Sequence, residues 1–124
     1  MNKNLADMMR EALEARREFK KFEPHVRAGI IMVKLLRAHL MVHVNRVDDI
    51  TEIRYDLGNR VVGNLVQILS EAKITPSEAS NERFRRMFAQ YVNDSMLEEG
   101  IAVKWLPHEL AFSFAEHGNE GEVK

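Results

Sequence analysis

The chain has no cysteine. That absence excludes a disulfide framework, a thiolate metal site and a cysteine nucleophile. It also fits a reducing, cytoplasmic compartment. Proline is scarce: Pro24, Pro76 and Pro107 are the only three, which leaves long stretches free to run as uninterrupted helix. Glycine is almost as rare, with six residues. Gly58 and Gly63 are not followed by Gly-Lys-Ser/Thr, so there is no phosphate-cradling loop, and no Gly-x-Ser-x-Gly elbow exists for a hydrolase nucleophile. An uninterrupted apolar run is missing too. The most apolar stretch, residues 26–47, contains Arg27, Lys34, Arg37, His39, His43 and Arg46. A bilayer-spanning helix would have to bury those charges, so a membrane role is not expected. The first 21 residues are charged throughout and lack the apolar centre of a secretion signal.

What is present is helical periodicity and an uneven charge distribution. Net charge is −1. Residues 1–46 hold ten Lys/Arg against five Asp/Glu, and residues 47–124 hold eight against fourteen. The halves therefore carry about +5 and −6, either to attract one another or to offer the basic half to an anionic partner.

The spacing predicts a helix over residues 4–22, with Leu5, Met8, Met9, Ala12, Leu13 and Phe19 recurring at three- to four-residue intervals. Pro24 suits the first position of a second helix, over residues 24–46. Its apolar positions cover nearly the whole circumference, as in a central helix or one shared with a second subunit. A third helix is expected over residues 49–73 from the rhythm of Ile50, Ile53, Leu57, Val61, Leu65, Ile68, Leu69 and Ala72, with a short strand over residues 50–55 as the alternative. Thr75-Pro76-Ser77-Glu78 reads as a capping box opening a fourth helix over residues 76–98. Gly100 stands where a helix ends in the left-handed conformation. Beyond it, Ile101, Val103 and Trp105 alternate, as do Leu110, Phe112 and Phe114, which fits a hairpin. Pro107 followed by His108-Glu109-Leu110 fits a short helix, and helix is favoured. The expected fold is therefore all-α, a compact up-down bundle of about four long helices plus a short C-terminal element. A single domain is expected over residues 1–118, with a mobile tail over 119–124.

Candidate chemistry is thin. His108-Glu109 begins a zinc-protease pattern, but Phe112 stands where the second histidine is required. His39 and His43 share a helix face, yet a metal needs a third ligand, and His25 lies about 21 Å along the same helix. No metal, cofactor or catalytic constellation is expected. The sequence reads instead as a non-enzymatic interaction protein that binds another protein and self-associates. The face expected to pair in a homodimer comprises Met32, Leu36, His39, Leu40 and His43. Methionine, seven times present, suits cores and adaptable surfaces alike. The alternative is a small nucleic-acid-binding regulator using the basic N-terminal half, with Arg16, Arg17, Lys20 and Lys21, and a second cluster of Arg83, Arg85 and Arg86.

Overall fold

A computed structural model describes residues 3–57 and 64–116. Among these residues the chain forms five α-helices and one three-stranded antiparallel sheet. The fold is thus mixed, mainly helical with a small sheet, and the all-α helical bundle is corrected.

Helix α1 spans Leu5–Lys20 and begins at Asn4, whose side chain accepts a hydrogen bond from the Asp7 N–H at 2.8 Å. Helix α2 spans Pro24–His43 with Pro24 in its first turn, as the sequence indicates. Ala28, Met32, Leu36 and Leu40 recur every four residues along it and are all buried. By length and composition α2 and the turn after it could cross a bilayer. That inner stripe instead belongs to the same core as Val92, Met96, Leu110 and Phe112.

The expected third helix is the first departure. Residues 50–52 form a single 3₁₀ turn, Arg54–Asp56 form strand β1, and α-helix α3 is described from Asn64 to Glu71. Ile53, Tyr55 and Leu57 are buried while Arg54 and Asp56 face solvent. Period-two alternation, with Tyr55 as an inward residue, overrides the three- to four-residue rhythm of Ile50, Ile53 and Leu57. Val61, Gly58 and Gly63 lie outside the described residues.

The Thr75 capping box forms as the sequence implies. Thr75 Oγ1 accepts from the Glu78 N–H at 3.1 Å, and Glu78 Oε1 accepts from the Thr75 N–H at 2.9 Å. The expected helix over residues 76–98 is nevertheless two. Helix α4, Pro76–Ser80, stops at Asn81, whose extended backbone restarts helix α5, Glu82–Glu98. The Asn81 side chain caps α5 by accepting from the Phe84 N–H at 3.1 Å. A short polar side chain that can bond its own downstream backbone competes with helix continuation, which is why the break falls there.

Gly100, at φ +85°, ends the α5 segment in the left-handed region. The chain then forms β2, Ile101–Trp105, and β3, Glu109–Phe114, paired antiparallel. The C-terminal helix is therefore corrected to a hairpin, as the alternation of both segments implied. Strand β3 is central, in the order β1-β3-β2, and Leu110 faces Tyr55 on one side and Trp105 on the other. The β3 residues Leu110 and Phe112 are buried, while Phe114 is 68% exposed. The Trp105 indole N–H donates to Asn93 Oδ1 at 2.7 Å and so ties the hairpin to α5. The described residues share one core cluster. The expected tail over residues 119–124 lies outside them.

Candidate functional site

The face expected to pair in a homodimer divides on inspection. Met32, Leu36 and Leu40 are core residues, and only His39 and His43 reach the surface. His43 stacks at a tilt on His39 with ring centroids 4.2 Å apart, and Tyr55 meets His39 edge-on at 5.0 Å. His39 Nε2 lies 2.7 Å from the Arg54 carbonyl, and His43 Nδ1 lies 2.9 Å from the His39 carbonyl. Carbonyls only accept, so both ring nitrogens carry hydrogen and donate. Burial pulls the His39 pKa below its ordinary value; the Arg54 carbonyl raises it in part, and His43 lowers it further. Burial, and then the Glu71 charge, push the Tyr55 pKa up. No cluster of three or more His, Cys, Asp or Glu suited to a metal occurs among the described residues.

The unpartnered element is α1. None of its residues is buried. Leu5, Met8, Met9 and Leu13 are 71, 56, 55 and 51% exposed, a stripe along its first three turns. Its charged residues pair largely with one another: Arg10 with Asp7, Arg17 with Glu14 and Lys21 with Glu18, at 3.0 to 3.3 Å. The outward side of α2 is also bare, with Met41 and Val42 71 and 58% exposed and Leu35 partly so. The apolar spacing of α1 is visible in the sequence, whereas its lack of a cover is visible only in the structure. The adjacent Met8-Met9 pair was the available signal.

The basic residues separate into two kinds. Arg17 and Lys21 are held by carboxylates of their own helix. Arg16 and Lys20, one turn apart, instead line a cleft together with Arg27 and Lys34 of α2 and Lys73. The Arg27 guanidinium is fixed there by donating to the carbonyls of Phe22 at 2.7 Å and Ala72 at 2.9 Å. Arg27 and Lys34 stand in the sequence as charges interrupting the apolar second helix and not as site residues, and Lys73 carries no local signal that joins it to them. Arg83 and Arg86 line shallow hollows beside His25 and Met87, and Arg85 lies on the same helix. No protein-family model, curated protein or solved structure matches the chain.

Proposed function

We propose that this chain is a non-enzymatic interaction protein that self-associates, the α1 stripe of one copy covering the outer apolar face of α2 on a second. The observation that carries the reading is that α1, a sixteen-residue amphipathic helix, has no buried residue. Isolated helices of that length are marginal in water, so α1 gains most of its stability from whatever packs on it.

A second copy fits because the same chain supplies both halves of the contact. The stripe of Leu5, Met8, Met9 and Leu13 needs an apolar cover, and the outer face with Leu35, Met41 and Val42 needs one too. In a two-fold pairing each contact is made twice. Full burial of each large apolar side chain is worth about 1.5–3 kcal/mol. Two such stripes offset an association cost of roughly 4–15 kcal/mol. The acids of α1 are already paired with Lys3, Arg10, Arg17 and Lys21, so the contact between copies rests on apolar burial. The four acids of α1 also balance its Arg10, Arg16, Arg17 and Lys20, so an anionic bilayer gains no net attraction from this helix.

Sedimentation velocity on the full chain at micromolar concentration tests the reading. A species of twice 14.4 kDa is expected, dissociated by Met9→Glu with Leu13→Glu. A mass of one chain at every concentration overturns it. The second reading is nucleic-acid binding through α5. It is favoured by Arg83, Arg85 and Arg86 having no ion-pair partner among the described residues, although Glu78 and Glu82 stand close in sequence. A steep loss of DNA or RNA binding with salt would support it, and no retention at low salt would remove it.

A further inference from the structure

We infer that the cleft between α1 and the α2–α3 body is a binding site for a small, multiply phosphorylated anion. The cleft encloses about 780 Å³, within the roughly 300–1,000 Å³ usual for small-ligand sites. Five cations line it, Arg16, Lys20, Arg27, Lys34 and Lys73, against one carboxylate, Glu71. None of the five is ion-paired among the described residues, and Glu71 accepts from Gln67 instead. A formal excess of four positive charges in one concavity raises the local potential and favours an anion there. The three lysines supply point charges and Arg16 a planar donor fork for phosphate oxygens, while Arg27, whose three guanidinium nitrogens donate to the Phe22, Ala72 and Lys73 carbonyls, adds a fixed positive charge.

Lys73 adds an independent observation. Helix α3 ends with the Ile74 N–H donating to the Leu69 carbonyl at 2.9 Å and the Lys73 N–H to the Ser70 carbonyl at 3.1 Å. This pairing puts the left-handed residue at position 73, a place usually taken by glycine. Here it is a lysine at φ 62°. A non-glycine backbone in that conformation is mildly strained, and the residue kept there is one of the cations that line the cleft.

Several features favour a compact ligand over a polymer. The cations converge in a cleft rather than forming a stripe. Arg17 and Lys21, which would extend the patch around α1, are already paired with Glu14 and Glu18. Phe19 and Ala15 supply an apolar wall, so the ligand can carry an apolar or planar portion beside its phosphates. Bound there, it would bridge α1 to the body, to which α1 is otherwise joined by little side-chain packing. This inference does not rest on the self-association reading, because the α1 stripe that reading uses ends before the cleft begins.

Calorimetric titration of the full chain with tripolyphosphate, at ionic strength fixed with sodium chloride, tests it. Saturable one-to-one binding is expected. Lys34→Ala and Lys73→Gly should each weaken it about tenfold, the effect of losing one charge-assisted contact, and Arg85→Ala should leave it unchanged. Lys34 and Lys73 are exposed, and unchanged far-UV circular dichroism confirms that these variants fold. Vesicles containing phosphatidylinositol bisphosphate distinguish the source. Retention on them tighter than on phosphatidylcholine vesicles, and lost in the same two variants, identifies a lipid headgroup. Equal, weak retention on both, beside tripolyphosphate binding, identifies a free phosphate ester. Absence of saturable binding to either probe overturns the inference. So does a loss in Arg85→Ala equal to that in Lys34→Ala, which would mark diffuse electrostatics. Duplex DNA binding more tightly than tripolyphosphate, with a steep salt slope, would replace the small ligand with a nucleic acid.

Discussion

The Tyr91 ring of α5 occupies the space that a side chain at Gly29 of α2 would fill. A Cβ built at position 29 overlaps Cγ and both Cδ1 and Cε1 on one edge of that ring. The two helices cross closely because the residue there is glycine. Gly29→Ala gains about 1 kcal/mol of helix propensity but overpacks the contact by about 1–3 kcal/mol or more. A net loss is expected, read as a lower urea midpoint with an unchanged slope.

Leu36 distinguishes a core position from a pairing surface. It is fully buried inside one chain, so Leu36→Ala should cost about 2–5 kcal/mol of stability. A surface role would instead leave the thermal midpoint of dilute protein in place and change only the association constant. Chemical denaturation at low concentration, set beside sedimentation of the same variant, separates these outcomes.

Lys73→Gly should move two quantities in opposite directions. Removing the Cβ from a left-handed position at φ 62° stabilises the fold by about 1 kcal/mol. The same substitution removes a cation from the cleft and weakens tripolyphosphate binding. A variant that loses stability and keeps its binding would show that Lys73 is there for packing alone.

His39 makes stability pH-dependent in a definite direction. Burial holds its folded pKa below the ordinary 6.5, so the folded state prefers the neutral ring. That contribution is fully present above pH of about 6.5 and is lost as pH falls through the lower folded value. Denaturation midpoints should therefore drop on acidification below about pH 6.5. His39→Gln, which can still donate to the Arg54 carbonyl, should flatten that part of the profile. An unchanged profile in the variant would assign the dependence to another group.

Asn93 anchors the hairpin. Its carbonyl oxygen accepts from the half-buried Trp105 indole at 2.7 Å, and Asn93→Leu leaves that N–H unsatisfied at a cost of about 1–3 kcal/mol. The loss should appear first as faster amide exchange in Ile101–Trp105 and Glu109–Phe114, with α2 and α5 still protected.

Features governed by neighbouring residues were legible in the sequence. Pro24 at the start of α2, the Thr75–Glu78 capping box, the left-handed Gly100 and the apolar spacing of α1 each follow from contacts within a few residues. The break at Asn81 was local as well, but a cap inside a helical stripe is masked by the stripe. The cleft was only partly legible: Arg16 and Lys20 stood out as a basic cluster, but Lys34 and Lys73 are far from them in the chain, so their convergence was hidden.

The sequence by itself determined α1, the start of α2 at Pro24, the cap at Thr75 and the stop at Gly100, since propensity, capping and the 3.6-residue period act over one or two turns. Tertiary structure decided residues 50–57 and 101–114. There Ile50, Ile53 and Leu57 satisfy a helical period while Ile53, Tyr55 and Leu57 satisfy a strand period, so local pattern allows both. Strand β1 has three residues and exists because β3, more than fifty positions later, presents an edge that pairs Tyr55 with Leu110. A strand's hydrogen bonds lie outside the strand, whereas a helix's lie within it, so only the assembled chain could choose.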